Sequence, residues 1–194
     1  MRRKMENIQQ YLTQEIGNVQ NVDTQKVIVN VKKEELLNKL KINDLAILSG
    51  NNADEKLIGI VTKVSKKSID FNDTEVDEES LLEYSYNFCN ITLVGTFYSK
   101  ISPTQNNIFK RAVNTYPEIN SPVFLADDDA LYMIMNSLTN NQSHGKELKI
   151  GKYASNQSVE AILDGNKFFQ RHAAIVGSTG SGKSFSVANI LEKT

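Results

Sequence analysis

The chain has 194 residues, which is enough for one ordinary domain and part of a second. Its content of 40% hydrophobic and 23% charged residues excludes a disordered or low-complexity chain. A net charge of -1 excludes a globally basic protein that coats nucleic acid, so any DNA contact has to come from a local patch or an assembly. The single cysteine, Cys89, excludes an internal disulfide and favours a reducing compartment.

The sequence gives no indication of a membrane partner. No stretch approaches the roughly 18 uninterrupted apolar residues that a spanning helix needs. The segment Met1 to Gln10 has basic residues but no apolar core after them, so it is not a secretory signal. We therefore predict a cytoplasmic protein with residues 1–8 as a flexible lead-in.

The first half of the chain is dominated by short β-rich runs separated by polar turns. A run with helical spacing, Glu34 to Lys41, interrupts them, and the acidic stretch Asp70 to Glu79 is predicted to be a solvated loop. Several short strands in about 90 residues favour a small closed or half-closed barrel, because closure removes exposed edges. The predicted strands are Val27–Val31, Leu45–Leu48, Leu57–Val64 and Ile91–Tyr98.

The second half begins with a crossing between two units, since residues 103–122 contain all three prolines. The triplet Asp127 to Asp129 precedes an apolar run, which favours a helix N-terminus over a metal site. Three more strands are predicted after it, at Leu148–Tyr153, Val159–Leu163 and Ala173–Val176.

The segment most informative about function is Gly177–Ser184, which matches G-x-x-x-x-G-K-[ST] at every defined position. The apolar run Ala173–Val176 before it is predicted to be a buried parallel strand, and Phe185 to Lys193 after it has helical spacing. The apolar face of that helix contains Val187, Ile190 and Leu191. A strand, a glycine loop and a helix in this order favour a nucleotide-binding site over an ordinary glycine turn.

The residue types of this loop suit polyphosphate, which needs many donors at short range. Glycines let the backbone adopt φ > 0 and bring its N–H groups to the β-phosphate, and the following helix adds unpaired N–H groups. We expect Lys183 to reach the β- and γ-phosphates and the Ser184 hydroxyl to coordinate Mg²⁺. The predicted binding residues are Gly177, Ser178, Thr179, Gly180, Ser181, Gly182, Lys183 and Ser184.

Other reactive residue types are assigned structural roles. His172 is predicted to stand at the far end of the strand before the loop, and His144 has no partner at ligand spacing. Cys89 lacks a nearby histidine and is predicted to be a packed small residue. The cluster Lys63, Lys66 and Lys67 favours a solvated edge, with a DNA-facing surface as the alternative.

The order of a small β-rich unit, a proline-marked crossing, and the segment Ala173–Ser184 resembles the HerA family of hexameric DNA-translocating ATPases, relatives of the FtsK motors. Further likeness lies in Ile16–Val19, Val27–Val29, Asn43–Leu45, Leu57–Val61, Phe109–Val113, Tyr116–Pro117 and Ser121–Val123. The resemblance covers nearly the whole chain.

This resemblance implies a mainly β N-terminal small barrel, at 9–120, followed by the truncated beginning of an α/β RecA-like P-loop NTPase domain, at 121–194. It implies ATP and Mg²⁺ as cofactors, Lys183 as a catalytic residue, and a homo-hexameric ring around double-stranded DNA. It also implies a nuclease or sirtuin-like effector as a partner, in DNA end processing or phage defence.

The position of the loop leads to an expectation about activity. The chain stops ten residues after Ser184, whereas a RecA-like motor needs further strands, an acidic residue for Mg²⁺ and the attacking water, and an arginine from a neighbouring subunit. We therefore expect a fragment of a longer DNA translocase that does not turn over ATP alone.

Two alternatives remain open from the sequence. In the first alternative, the barrel of this chain is an interaction module that recruits a nuclease or other effector, with the glycine loop as a stub. Otherwise the chain belongs to another P-loop enzyme, such as a kinase or GTPase, although such enzymes commonly place the loop near the chain start.

Overall fold

The computed structural model describes residues 8–68, 85–102, 105–139, 147–153, 156–170 and 172–193. The predicted acidic loop Asp70 to Glu79, His144 and residues 1–7 of the predicted lead-in lie outside these ranges. In the described part of the chain, no helix has the length and apolar character needed to cross a membrane.

The chain forms nine strands and four α-helices within the described residues, after a short 3-10 helix at Ile8–Tyr11. The strands are β1 (Gln14–Val22), β2 (Lys26–Val31), β3 (Leu45–Ser49), β4 (Glu55–Ser68), β5 (Ser85–Ser102), β6 (Gln105–Lys110), β7 (Pro122–Leu125), β8 (Glu147–Lys152) and β9 (Glu160–Asp164). The helices are α1 (Glu34–Lys39), α2 (Asp128–Thr139), α3 (Gly165–Phe169) and α4 (Lys183–Glu192).

Six strands form a closed antiparallel barrel in the order β1, β7, β3, β4, β5, β2, with β2 pairing back to β1. Strand β6 extends the sheet by pairing with β5 outside this ring. The predicted mainly β barrel is thus confirmed, as are its four predicted strands and the helix at Glu34. The polar sequences of β1 and β6 and the proline-led β7 were not predicted, and β7 carries the barrel sheet past the expected boundary at 120.

The barrel interior follows from the two-residue period of its strands, which sends alternate side chains inward. Val27, Val29 and Val31 of β2 are all buried, while the residues between them are not. On β5, Ile91 stands opposite both Val27 of β2 and Val61 of β4, and all three are fully buried. The interior is therefore a packed apolar core to which α1 contributes Leu37 and its C-cap residue Leu40.

A second apolar cluster lies on the outer face of the barrel. It joins strand residues to α2 and to the 3-10 helix, whose Ile8 is fully buried although it was assigned to the flexible lead-in. The cluster consists of Ile8, Ile47, Ile58, Phe97, Ala130 and Ile134.

Helix α2 begins as the acidic triplet predicted. The Asp127 carboxylate accepts a hydrogen bond from the Ala130 backbone N–H at 2.8 Å, which satisfies one unpaired donor of the first turn. The described residues contain no group of three or more His, Cys, Asp or Glu side chains placed to hold a metal ion.

The segment after α2 is a two-stranded antiparallel hairpin, β8–β9, followed by α3 and α4. Strands β8 and β9 and the α4 helix were predicted. The predicted strand Ala173–Val176 is wrong, because residues 172–178 have no regular secondary structure and Val176 is 89% exposed. A central strand needs neighbours to accept its hydrogen bonds, and no described strand pairs with this segment. The RecA-like domain therefore stays a prediction.

Candidate phosphate-binding site

The glycine loop joins the extended segment 172–178 to helix α4 and is open to solvent. A turn forms within it, where the Ser181 N–H donates to the Ser178 carbonyl at 3.2 Å. Every residue of the loop from Gly177 to Gly182 is exposed, and Lys183 is half-buried. The structure thus brings together the loop residues predicted from the motif and leaves their backbone groups accessible.

The glycines allow backbone conformations and close contacts in this loop that other residues disfavour. Gly180 and Gly182 have φ angles of 79° and 85°, a region that favours glycine over residues with a side chain. A Cβ on either of them would meet no atom within 4 Å, so the requirement is conformational and not steric. At Gly177, a Cβ would lie 2.5 Å from the Ser181 hydroxyl oxygen, so this position also suits glycine through its close packing.

The side chain of Lys183 folds back over the loop. Its Nζ atom donates a hydrogen bond to the Ser178 carbonyl oxygen at 2.6 Å, across the turn. The ammonium therefore lies against the turn formed by Ser178 to Ser181. It is positioned as a neighbour of any anion that the loop binds.

Helix α4 supplies the other half of the candidate site. Gly182 is its N-cap and offers no side-chain acceptor to the first turn. The first intrahelical bond runs from the Ser186 N–H to the Gly182 carbonyl at 2.9 Å. Because the first N–H groups of a helix have no acceptor inside it, those of Lys183, Ser184 and Phe185 point toward the loop with the positive end of the helix dipole.

Ser184 lies in this first turn and is exposed. Its hydroxyl follows the Lys183 ammonium directly in the chain, and hydroxyl oxygen is among the hard ligands that Mg²⁺ accepts beside phosphate oxygens. The donor set therefore fits a Mg²⁺–nucleotide, with Lys183 for the phosphates and Ser184 for the cation.

The helix behind the loop has an uncovered apolar side. No residue of α4 is buried, and Phe185 is 77% exposed. An open groove of about 340 Å³ lies between α4, α3 and the extended segment. It is lined by Phe168, Phe169, Ala173, Ile175, Val187, Ile190 and Leu191. The loop and α4 are therefore less well packed than the barrel.

The remaining candidates do not assemble into a second reactive site. His172 is exposed at the start of the extended segment, and the strand it was expected to begin is absent there. Cys89 is buried in the barrel interior, and burial raises the pKa of its thiol to about 12, which confirms a packed residue. Lys66 pairs with Glu34 at 3.2 Å, as expected of a solvated edge.

Two contacts outside the glycine loop were missed by sequence reasoning. Phe168 and Phe169 of α3 line the apolar groove with their rings edge to face, 5.2 Å apart. Asp128 of α2 accepts hydrogen bonds from Ser158 and Asn156 beside the hairpin. The partners of Asp128 are 28 and 30 residues away, so no local pattern could have identified that contact, whereas the adjacent phenylalanines were a local signal for the first one.

Comparison with known proteins places the glycine loop within a family match. Residues 148–194 match the family model described as "Helicase HerA, central domain". The chain is also 36% identical over 77 residues to the "Probable helicase MJ1565" of Methanocaldococcus jannaschii. That alignment covers 40% of this chain and 14% of the relative. Residues 148–194 are thus similar to the central domain of HerA helicases, and 77 residues of the chain are similar to a small part of a probable helicase.

Proposed function

We propose that this chain is part of an ATP-dependent DNA translocase or helicase of the HerA type, in which the loop Gly177–Ser184 holds the ATP phosphates. The observation that carries this proposal is the geometry of the loop: two glycines at positive φ, a helix beginning at Lys183, and the Lys183 ammonium folded over the turn. The family match over residues 148–194 includes the whole loop.

The chemistry of binding follows from charge. A triphosphate brings several negative charges, which backbone N–H groups, the helix N-terminus and one ammonium stabilise together. A phosphate oxygen would replace the Ser178 carbonyl as the partner of Lys183, because a hydrogen bond between two charged groups is stronger than one to a neutral carbonyl. Lys183 would also stabilise charge on the γ-phosphate during transfer, which is why we assign it a catalytic role.

Mg²⁺, when bound, would neutralise phosphate charge. In this chain the Ser184 hydroxyl is the residue proposed to ligate it. The first-turn position keeps this oxygen beside the backbone donors of the loop, so the phosphates and the cation would be held by adjacent residues.

Isothermal titration calorimetry with ATP and Mg²⁺ tests the site directly. We expect Lys183→Ala to weaken nucleotide binding by about tenfold or more, since it removes a charge-assisted bond to phosphate. Lys193→Ala is the matched control, because Lys193 is exposed at the opposite end of α4 and should leave binding unchanged. Equal binding of ATP and Mg²⁺ by the parent chain and by Lys183→Ala would show that Lys183 does not bind the phosphates.

The barrel is proposed to serve ring assembly and partner docking. Because β7 belongs to its sheet, we propose that the barrel unit runs from residue 9 through Leu125 and that the beginning of the ATPase domain follows it. What supports this is the closure of the barrel around its own core, which leaves the outer surface that α2 and the 3-10 helix do not cover available for contacts with other chains. We propose a homo-hexameric ring around double-stranded DNA, with a nuclease or sirtuin-like effector as a further partner.

Analytical ultracentrifugation of a longer protein that contains this chain tests the assembly, with and without ATP and duplex DNA. A hexamer that binds labelled duplex in the presence of nucleotide is the expected result. A monomer under all conditions would contradict the ring, while leaving the nucleotide site to be judged by calorimetry.

A further inference from the structure

Helix α2 is the element that stands between the barrel and the β8–β9 hairpin. One side of it is buried against the outer face of the barrel, where Ala130 and Ile134 join the cluster that contains Ile58 and Phe97. Strand β9 also lies beside α2. The helix therefore touches both units, and its contacts with the hairpin decide how the second unit is held.

The first of these contacts is a group of hydrogen-bonded side chains, Asp128, Asn156 and Ser158, which we call the polar clasp. The Ser158 hydroxyl donates to one carboxylate oxygen of Asp128 at 2.6 Å, and the Asn156 amide donates to the other. The Asn156 side-chain oxygen in turn accepts from the Ser158 backbone N–H at 2.9 Å. Both Asp128 oxygens are thus bound by the turn that leads into β9.

The clasp forms around a charged acceptor. The hydrogen bonds from Ser158, and secondly from Asn156, lower the pKa of Asp128, so its carboxylate is ionised at neutral pH. Its position in the first turn of α2 favours the same negative charge through the helix dipole. Both effects favour the ionised form of the Asp128 carboxylate when the polar clasp is formed.

A second contact lies further along the same helix. The Tyr153 hydroxyl, at the end of β8, donates to the Met135 sulfur at 2.7 Å. Asp128 and Met135 are seven residues apart, so they share one face of α2 and are separated by about 10 Å along its axis. Val159 and Leu148 of the hairpin region are buried. The hairpin is therefore held at two separate points on one helix.

We propose that α2 is a rigid spacer which fixes the orientation of the β8–β9 hairpin relative to the barrel, and that the polar clasp sets this orientation. One point of contact permits a hairpin to pivot, whereas two points about 10 Å apart on a helix suppress rotation. Loss of the clasp removes the fixed point at the N-terminal end of α2, so that the hairpin can turn about the Tyr153–Met135 end of the contact, while the barrel core, which shares no residue with the clasp, stays packed.

The spacer has a consequence for the glycine loop, since the hairpin continues through α3 into residues 172–184. If the proposed nucleotide function holds, the clasp also sets where the phosphate site stands relative to the barrel. The orientation itself does not depend on nucleotide binding, so it can be tested with no ligand present.

Double electron–electron resonance on the full chain measures this orientation. Nitroxide labels are placed at Lys26→Cys on β2 and Lys152→Cys on β8, both exposed positions. The native Cys89 need not be removed, because it is 1% exposed and its thiol pKa of about 12 keeps it protonated at neutral pH. Ser158→Ala removes one of the two side-chain hydrogen bonds that hold the Asp128 carboxylate, and Ser158→Thr keeps a hydroxyl in its place.

We expect one narrow distance distribution for the parent, a width increased by roughly twofold or more for Ser158→Ala, and a narrow distribution again for Ser158→Thr. Gln157→Ala is the matched control, an exposed neighbour outside the clasp. An unchanged distribution in Ser158→Ala, or one equally broad in Gln157→Ala, would overturn the proposal. Amide exchange of the barrel is followed in the same samples, and faster exchange throughout the barrel in Ser158→Ala would also overturn it.

Discussion

The Lys183 Nζ atom lies 2.6 Å from the carbonyl oxygen of Ser178, five residues earlier in the chain. This hydrogen bond connects the two ends of the glycine loop and keeps the ammonium near the N-terminus of α4. Because the carbonyl is a neutral acceptor, it is a weaker partner for the ammonium than phosphate. A bound phosphate would therefore replace the Ser178 carbonyl as the partner of the Lys183 ammonium.

Gly182→Ala tests the backbone conformation of the loop. Alanine at φ of 85° costs about 1 kcal/mol, so we expect MgATP binding, measured by calorimetry, to weaken by about fivefold. The free energy of unfolding of the barrel should not change. Gly151→Ala is the control, since a Cβ there also meets no atom within 4 Å and its φ is not positive. Equal losses in both variants would show that the φ of Gly182 is not what matters.

We expect the 194-residue chain to bind MgATP without releasing phosphate. Binding donors supply only part of the stabilisation of the transferring phosphoryl group, and the nucleophile must also be aligned. The measurement is phosphate release in an enzyme-coupled assay at saturating ATP. A turnover that disappears in Lys183→Ala would contradict the expectation and show that the chain holds a complete catalytic site.

Ile91→Ala should destabilise the barrel by about 2–5 kcal/mol, because it opens a cavity in a fully buried position between β2 and β4. Leu191→Ala removes the same class of side chain from α4, where it is 61% exposed, and should change the free energy of unfolding by less than about 0.5 kcal/mol. Urea denaturation followed by circular dichroism distinguishes the two. A larger loss of unfolding free energy in Leu191→Ala than in Ile91→Ala would mean that α4 is covered in solution.

The buried thiol of Cys89 makes the barrel sensitive to alkali. Burial raises its pKa from 9.0 to about 12, so the unfolded chain loses this proton at lower pH than the folded chain. The stabilisation is complete below pH 9 and is lost as the pH rises through 12; at pH 10.5 the loss is about 2 kcal/mol. Denaturation at pH 7.5 and 10.5 should show this loss in the parent and not in Cys89→Ala. An equal loss of unfolding free energy in the parent and in Cys89→Ala would show that titratable groups other than Cys89 cause it.

Sequence patterns predicted the barrel well where the strands carry apolar residues at every second position. Val27, Val29 and Val31 repeat with the period of a strand, so β2 was predicted nearly to its boundaries. Strand β1, with the sequence QEIGNVQNV, has too few apolar residues to show that period. It is held by pairing with β2 and β7, and such long-range pairing leaves no local signature.

The candidate site divides in the same way. The loop residues were predicted because a phosphate cradle is a local structure, with its glycines, lysine and serine at fixed spacing. The strand predicted at Ala173–Val176 failed because a short apolar run has no preference of its own and needs neighbouring strands. Asp128 was predicted only as part of a helix N-terminus, and its bonds to Ser158 and Asn156 depend on how two distant segments meet.

Closure of the barrel brings together parts of the chain that are far apart in synthesis. Strand β7 inserts between β1 and β3, and Asn18 on β1 donates a hydrogen bond to the carbonyl of Asn120, 102 residues later. At a ribosomal rate of roughly 5–20 residues per second, β1 waits about 5–20 s for that neighbour to emerge. During this interval β1 and β3 each have an edge without its β7 neighbour, and such open edges can pair with other nascent chains.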